Sequence, residues 1–96
     1  MMALLTEDQL AAALFELQDW GGDSLALRRS FECPSFPSAI TGVDRIAVIA
    51  EEIDHHPDID IRWRTLSFTV STHSAGGVTE LDLELARRID GVLGDL

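Results

Sequence analysis

The stretch FPSAITGVDRIAVIAEEID, residues 36–54, predicts the long helix on which the fold depends. Its apolar side chains recur with a period of about 3.6 residues, which places them along one side of a helix. They are Phe36, Ala39, Ile40, Val43, Ile46, Ala47, Ala50 and Ile53. Ser35 is the expected N-cap. Pro57 disfavours helical backbone in the residue before it, so we expect the helix to end near His55 or His56.

Two strands are predicted after this helix, because apolar and polar residues alternate along the chain. The apolar positions are Ile59, Ile61 and Trp63, then Leu66, Phe68 and Val70. We expect Trp63 and Phe68 to pack in the core or against the sheet. The short Arg64-Thr65 link indicates an antiparallel hairpin. The polar positions of the second strand would face solvent or a partner subunit; these are Ser67, Thr69 and Ser71.

The chain before residue 36 predicts a helix and a pair of strands. Thr6-Glu7-Asp8-Gln9 has the pattern of a capping box, and the residues after it are typical of a helix from about Glu7 to Asp19. Gly21-Gly22-Asp23 is expected to break this helix. Residues 25–33 alternate as a half-buried strand does, and we expect Trp20 to end a short strand or turn beside it.

The chain after residue 71 predicts a loop at Gly76-Gly77 and a final helix capped by Thr79, with Glu80 and Asp82 in its first turn. The order is therefore α-β-β-α-β-β-α. Strands joined as hairpins with helices between them indicate an α+β fold, in which helices cover one face of an antiparallel or mixed sheet. The 96 residues are enough for one domain, and they contain no internal repeat.

Composition narrows the classes of function. Seventeen acidic and seven basic side chains give a formal net charge of −10, which disfavours direct binding to nucleic acid. The single cysteine, Cys33, rules out an intramolecular disulfide and suits a reducing cytoplasm. No apolar run approaches the ~20 residues that span a membrane, and the first residues lack the basic region of a secretory signal.

All three histidines fall in two short segments, Glu51-Glu52-Ile53-Asp54-His55-His56-Pro57 and Ser71-Thr72-His73. An imidazole titrates nearer neutral pH than any other unperturbed side chain, so these segments are candidates for acid–base chemistry. The first segment ends the long helix, whose C-terminal dipole stabilises a protonated ring. The i to i+4 spacing from Glu51 to His55 would let the carboxylate hydrogen-bond that ring.

Each of these residues, taken alone, also has a structural explanation. A helix-terminal histidine is often a cap, Glu51 and Glu52 could form a solvated face, and Asp82 could complement the helix dipole. The combination favours acid–base chemistry at a loop-lined cleft, where hairpin geometry would return His73. A zinc site is the other interpretation, but adjacent helical residues point about 100° apart and the i, i+4 histidine pair is missing.

The run Glu51-x-x-x-His55-His56-Pro57, followed by Trp63, Ser71-Thr72-His73 and Asp82, resembles the pterin-4a-carbinolamine dehydratase family over nearly the whole chain. The resemblance implies a four-stranded antiparallel sheet with three helices on one face. It also implies homodimers and dimers of dimers, built through sheet edges and helices.

The implied activity is loss of water from a 4a-hydroxytetrahydropterin to give the quinonoid dihydropterin, a step of tetrahydrobiopterin recycling that needs neither a redox cofactor nor a metal. By similarity, His55 and His73 are the acid–base pair, and His56 binds and orients the pterin. Glu51 and Asp82 would hold the imidazoles. Pro57 and the segment Thr72-His73-Ser74-Ala75 would line the pocket. One departure is Ile59, where many members carry an aromatic residue.

The alternative is a binding protein without turnover. Some members of the family act as dimerisation cofactors for a homeodomain transcription factor, and divergent ones assist rubisco assembly. A pterin-binding protein is a third possibility. Retention of all three histidines favours the enzyme, because a scaffold would not need them.

Overall fold

The computed structural model describes residues 3–96. Three α-helices and four strands follow each other in the predicted order: α1 (Glu7–Glu16), β1 (Gly21–Gly22), β2 (Leu27–Glu32), α2 (Phe36–Ile53), β3 (Asp58–Arg62), β4 (Thr65–Val70) and α3 (Glu80–Gly94), with a 3-10 turn at His73–Ala75 before α3. The strands form one antiparallel sheet in the order β1-β2-β4-β3. The predicted α+β fold, with three helices on one face of the sheet, is confirmed.

The core lies between the sheet and the helices. Alternate residues of β4 point into it, and all of them are buried: Leu66, Phe68 and Val70. The buried side of α3 includes Leu85 and Ile89, each fully shielded from solvent. The intervening β4 residues lie on the open face of the sheet, where they are half-buried. The alternation that predicted β4 therefore also separated its two faces.

The end of α2 depends on Asp54. This residue adopts left-handed backbone with φ of 51°, and the amides of Asp54 and His55 both donate to the carbonyl of Ala50. Both bonds satisfy a carbonyl at the helix end, as in the motifs that usually employ glycine or asparagine there. The chain thus leaves the helix before the histidines. The predicted helix, from about Phe36 to Asp54, is confirmed to within one residue.

The first helix is shorter than predicted. It ends at Glu16 rather than near Asp19, because Leu17 leaves helical backbone, with φ of −88° and ψ of 67°. The amide of Trp20 then donates to the Leu17 carbonyl at 2.9 Å, and both side chains are buried. Burial of these two apolar groups turns the chain into the sheet.

The glycine pair after α1 is more than a break. Gly21 and Gly22 form the edge strand β1 and pair with Arg28 and Leu27 of β2. Gly22 has φ of 126°, and a Cβ there would lie 2.2 Å from the carbonyl oxygen of Ala26. Only glycine fits that position without strain.

The expectation that Trp63 belongs to a strand and packs internally is wrong. Arg62 pairs with Thr65, so the hairpin turn consists of Trp63 and Arg64 rather than Arg64 and Thr65. Trp63 has φ of 52° and is 73% exposed. Its apolar character continued the alternation of β3 by coincidence, and the turn has none of the usual asparagine or glycine to reveal it. The guanidinium of Arg64 lies 4.7 Å from the Trp63 ring centroid.

Candidate active site

Four segments of the chain meet at one end of the sheet. Antiparallel pairing sets Asp58 opposite Thr69, so β3 begins where β4 ends. It also sets Leu27 opposite Val70, so β2 begins at the same end. Helix α2 leads directly into β3, and the 3-10 turn follows β4. All three histidines therefore arrive at this end of the molecule.

A buried carboxylate holds His55. The Nε2 of His55 lies 2.5 Å from Oδ1 of Asp82, whose side chain is fully buried. The other oxygen, Oδ2, accepts from the amide of Thr79 at 2.9 Å and from the hydroxyl of Thr72 at 2.8 Å. Because this carboxylate accepts from an amide and a hydroxyl, we assign the hydrogen between it and His55 to Nε2. The positive end of the α3 dipole adds to its stabilisation.

The two threonines form a chain of donors that ends on this carboxylate. The amide of Leu81 donates to the Thr79 hydroxyl oxygen at 3.3 Å, and the two hydroxyls lie 2.8 Å apart. Thr72 donates its own hydrogen to Asp82, so Thr79 must donate to Thr72. Every hydroxyl hydrogen thus has one direction that satisfies all the buried groups. Such a satisfied network fixes its members in place.

The second ring nitrogen of His55 remains accessible. Among residues 3–96, the only buried side-chain nitrogen or oxygen atoms without a hydrogen-bond partner are Arg29 Nε and Arg64 Nε. Within the same residues, Nδ1 of His55 makes no hydrogen bond and is not one of these buried atoms, so it reaches solvent, although only 11% of the side chain is exposed. With Nε2 donating to Asp82, Nδ1 carries the lone pair of the neutral ring and can accept a proton.

Glu51 contacts His56 rather than His55. The Nε2 of His56 donates to Oε2 of Glu51, and both side chains are largely exposed. The expected i to i+4 pair fails because Asp54 is in left-handed backbone, so His55 no longer continues the helical face of Glu51. His55 instead turns inward to Asp82, and His56 takes the carboxylate on the surface.

A cavity of about 330 Å³ opens beside these groups. Its lining residues are Leu25, Ala26, His56, Asp58, Thr69, Ser71, His73 and Gly76. Thr69 lies on the open face of the sheet, as its alternation predicted, and Asp58 faces the same way because it pairs with Thr69. Ser71, predicted to belong to the same strand, follows β4, which ends at Val70. The cavity therefore combines two imidazoles, a carboxylate and hydroxyls with a small apolar wall.

The loop that supplies the apolar wall is held by Asp23. Its Oδ1 accepts from the amides of Leu25 and Ala26 at 2.8 and 3.2 Å. These backbone hydrogen bonds, helped by the charge of Arg28, lower the pKa of the Asp23 carboxyl. On the inner side, Ser71 donates to the Leu25 carbonyl at 2.7 Å. The wall is thus tied both to its own loop and to the end of β4.

The structure gives the predicted site residues different positions relative to the cavity. His56 and His73 line the cavity, whereas His55 and Asp82 contact each other and are not among its lining residues. Thr72 is 5% exposed, and its hydroxyl points to Asp82 instead of lining the cavity. Three other predicted pocket residues adjoin the lining in sequence without being part of it: Pro57, Ser74 and Ala75.

Other cavity residues were not predicted. Asp58, Leu25 and Ala26 line the cavity, and Thr79 supports Asp82. Asp58 could have been found from its place in the sequence, since it is a polar residue directly after His55-His56-Pro57 and begins the alternation of β3. The role of Thr79 was hidden because its capping pattern already explains a hydroxyl at that position.

Neither a thiol nor a metal cluster adds to the candidate chemistry. Burial raises the pKa of the Cys33 thiol, which packs in the core. Among residues 3–96, no three or more His, Cys, Asp or Glu side chains are grouped so as to hold a metal ion. None of the helices in that range is long and apolar enough to cross a membrane.

Sequence comparisons agree on one family. The family model of pterin 4 alpha carbinolamine dehydratase matches residues 3–92. A Mycobacterium sp. (strain KMS) protein is 56% identical over 92 residues, covering 96% of this chain and 98% of its own. A Nocardia farcinica protein is 55% identical over 87 residues, covering 91% and 92%. Both are named as candidate pterin-4-alpha-carbinolamine dehydratases.

Two solved structures share the fold. The transcriptional coactivator/pterin dehydratase from Brucella melitensis superposes with a TM-score of 0.90 at 36% identity, covering 94% of this chain and 98% of its own. A pterin dehydratase-like RuBisCO assembly factor of the alpha-carboxysome gives a TM-score of 0.65 at 24% identity, with coverages of 78% and 87%, and bears on the fold alone. The chain belongs to the pterin 4 alpha carbinolamine dehydratase family.

Proposed function

We propose that this member of the family dehydrates 4a-hydroxytetrahydropterin to the quinonoid dihydropterin by histidine acid–base catalysis, as a 4a-hydroxytetrahydrobiopterin dehydratase in tetrahydrobiopterin recycling. The observation that carries the proposal is the hydrogen bond between buried Asp82 and His55, the residue immediately before His56, which lines a cavity together with His73. The lone Cys33 is compatible with the cytoplasm as the place of this reaction.

The reaction requires two proton movements and no change of redox state. The bond from C4a to its hydroxyl oxygen breaks, and the hydroxyl leaves as water once it is protonated. The electron pair of the N5–H bond becomes the C4a=N5 double bond, and the N5 proton goes to a base. One proton is given and one is taken, so a pair of imidazoles can complete the cycle without a cofactor.

His55 suits the role of base. Its Nδ1 is free to accept the N5 proton, and Asp82 stabilises the positive charge that then develops on the ring. In catalytic triads, likewise, the histidine takes the proton and the aspartate stabilises the charged ring. His73 is an exposed imidazole on the cavity wall and would give the proton to the departing hydroxyl. His56, whose ring is tied to Glu51, would bind and orient the pterin.

Direct measurement of turnover tests the proposal. Chemically generated 4a-hydroxytetrahydropterin is mixed with the protein in a stopped-flow spectrometer, and formation of the quinonoid dihydropterin is followed by absorbance. We expect the protein to accelerate formation well above the spontaneous rate. The matched control is the His55→Ala, His73→Ala double variant, which should give the spontaneous rate. Because this variant removes one partner of buried Asp82, circular dichroism is needed to show that it remains folded.

A non-catalytic role in dimerisation or assembly is the second candidate. The observation that favours it is a set of apolar side chains on the outer surface of α2, which are Phe36, Ile40 and Val48, exposed by 49%, 38% and 60%. The Brucella melitensis relative is named both as a coactivator and as a dehydratase. Absence of any acceleration by the wild-type protein, together with intact pterin binding, would favour this second candidate or a pterin-binding role.

A further inference from the structure

Asp58 is an acidic residue of the cavity wall, and its carboxylate has no hydrogen-bond or ion-pair partner within residues 3–96. It lines the cavity with His56 and His73. The neighbouring acids differ: Glu51 is bound to His56, and Asp82 to His55. Both oxygens of Asp58 are therefore available to a ligand.

The surroundings of Asp58 suit a small flat ligand with an edge of donors. Thr69 lies opposite Asp58 in the strand pairing, and Ser71, directly after the end of β4, lines the same cavity. Leu25 and Ala26 supply the apolar wall. A cavity of about 330 Å³ is near the lower end of the roughly 300–1,000 Å³ range of ligand pockets. It is large enough for a bicyclic ring.

The charge of the site limits which ring edge can face Asp58. A carboxylate with both oxygens free accepts two parallel N–H bonds, and it repels an edge of carbonyl oxygens or an anion. A 2-amino-4-oxopteridine presents such a pair of donors, the 2-amino group and N3–H. A 2,4-dioxopteridine has a carbonyl oxygen in place of the amino group, which would face the carboxylate with an acceptor.

We propose that Asp58 is a specificity-determining residue that binds the 2-amino and N3–H edge of the pterin and selects 2-aminopteridines over 2,4-dioxopteridines. This inference rests on the proposed function, since it names the part of the site that recognises the same substrate. It leaves the proton transfers to the histidines and gives Asp58 a role in binding alone.

Fluorescence titration with two probes, pterin and lumazine, tests the selection. Lumazine is the 2,4-dioxo analogue, so the two probes differ at position 2, where Asp58 would accept a hydrogen bond from the amino group of pterin. Wild-type protein should bind pterin about tenfold or more tightly than lumazine, the scale of hydrogen bonds to a charged group. Asp58→Asn should abolish most of that preference, because the amide offers a single acceptor and adds an N–H group facing the amino edge.

Asp60→Asn is the matched control. Asp60 lies two residues further along the same face of β3, but it contacts Arg62 and does not line the cavity. It should retain the wild-type preference. In the dehydration assay, Asp58→Asn should raise KM about tenfold with kcat nearly unchanged. Thermal unfolding should show that both variants remain folded, as expected for exposed carboxylates.

The outcomes separate the two proposals. If wild-type protein fails to prefer pterin, or if Asp58→Asn keeps the preference, Asp58 does not select the substrate, even where turnover is observed. If the preference depends on Asp58 but no dehydration occurs, the proposed enzyme function fails and the recognition stands. A fall in kcat without a rise in KM would also overturn the inference, because it would place Asp58 in the chemistry.

Discussion

Asp82 organises the candidate site at the level of single residues. It is fully buried, yet its two oxygens accept from His55, Thr72 and Thr79. A buried charge is tolerated when its hydrogen-bonding capacity is met in this way, and loss of one partner is expensive. The carboxylate therefore fixes which nitrogen of His55 carries hydrogen and which one reaches solvent.

Removal of the imidazoles gives the most direct prediction at this scale. His55→Ala and His73→Ala should each lower the dehydration rate by about 10²-fold or more, the usual effect of losing a general acid or base. Their combination should lose less than the product of the two effects if both act in one step. His56→Ala, a matched histidine variant, should raise KM more than it lowers kcat.

Stopped-flow kinetics with each purified variant checks this expectation, with circular dichroism as the test of folding. A folded double variant that dehydrates the carbinolamine at the wild-type rate would show that these histidines are not catalytic.

The hydrogen bonds from Thr79 to Thr72 and from Thr72 to Asp82 predict an effect on the tautomer of His55. Thr72→Val keeps the shape of the side chain but leaves the Thr79 hydroxyl without its acceptor and Asp82 without one donor. We expect a loss of about 1–3 kcal/mol of unfolding free energy. Thr72→Ser, which keeps the hydroxyl, should retain most of the wild-type stability.

Nitrogen-15 NMR of the His55 ring, with urea denaturation for stability, distinguishes positioning from simple destabilisation. The wild type and Thr72→Ser should show hydrogen on Nε2 of the neutral ring. In Thr72→Val, Asp82 loses a donor that fixes its orientation, so a fraction of the His55 rings should lose the Asp82 hydrogen bond and show hydrogen on Nδ1. Unchanged ring spectra in Thr72→Val would contradict the positioning role.

At the level of elements, the short strand β1 depends on backbone that other residues avoid. Gly22 has φ of 126° and sits against the Ala26 carbonyl, whereas a Cβ at Gly21 would meet nothing within 4 Å. The two glycines are adjacent in one strand, so they make a matched pair of substitution sites. Gly22 also brings Ala26, a cavity residue, close to the strand.

Gly22→Ala should therefore lower the unfolding free energy by about 1–3 kcal/mol through strain and steric contact. Gly21→Ala, the control, should change it by much less. Thermal or urea denaturation of both variants measures the difference. Equal destabilisation by the two substitutions would mean that the backbone at Gly22 is not the limiting feature.

At the scale of the whole molecule, the sheet leaves β3 as an edge strand, with unpaired backbone groups on its outer side. Exposed edges are usually covered by another chain or protected by charge. The outer surface of α2 adds exposed apolar side chains at Phe36, Ile40 and Val48. Both features are typical of surfaces that associate.

We therefore predict that the protein is a homodimer or homotetramer in solution. Sedimentation equilibrium at micromolar concentration measures the mass directly, and a monomer under those conditions would contradict the prediction. Val48→Glu places a charge on the apolar surface of α2 and should weaken association that uses this helix. Arg62→Glu alters β3 without affecting α2, so the two variants separate the candidate surfaces.

Chelation gives a further prediction for the whole protein. His55 is held by Asp82 and His56 by Glu51, and no three potential ligands converge among residues 3–96. Dehydratase activity should therefore survive prolonged treatment with EDTA. If EDTA abolished turnover and added zinc restored it, the acid–base mechanism would be wrong. A sample that is buffer-exchanged without EDTA is the control.

Local sequence determined most of the secondary structure. The apolar period of α2, the capping patterns at Thr6 and Thr79, and the alternation of β4 each depend on near neighbours, and all are confirmed. The two histidine segments could also be found in this way, because histidine is rare in this chain. Trp63 was wrongly predicted to belong to a strand, because apolar alternation alone does not distinguish a strand from a turn that lacks glycine or asparagine.

Only the tertiary structure decided which carboxylate each histidine contacts. His55 and Asp82 are 27 residues apart, and they meet because strand pairing returns the end of β4 to the end of α2. One left-handed residue, Asp54, then directs His55 inward and leaves Glu51 to His56. The sequence alone determined which groups can carry a proton. Their pairing follows from strand register and a single backbone angle, which local patterns do not encode.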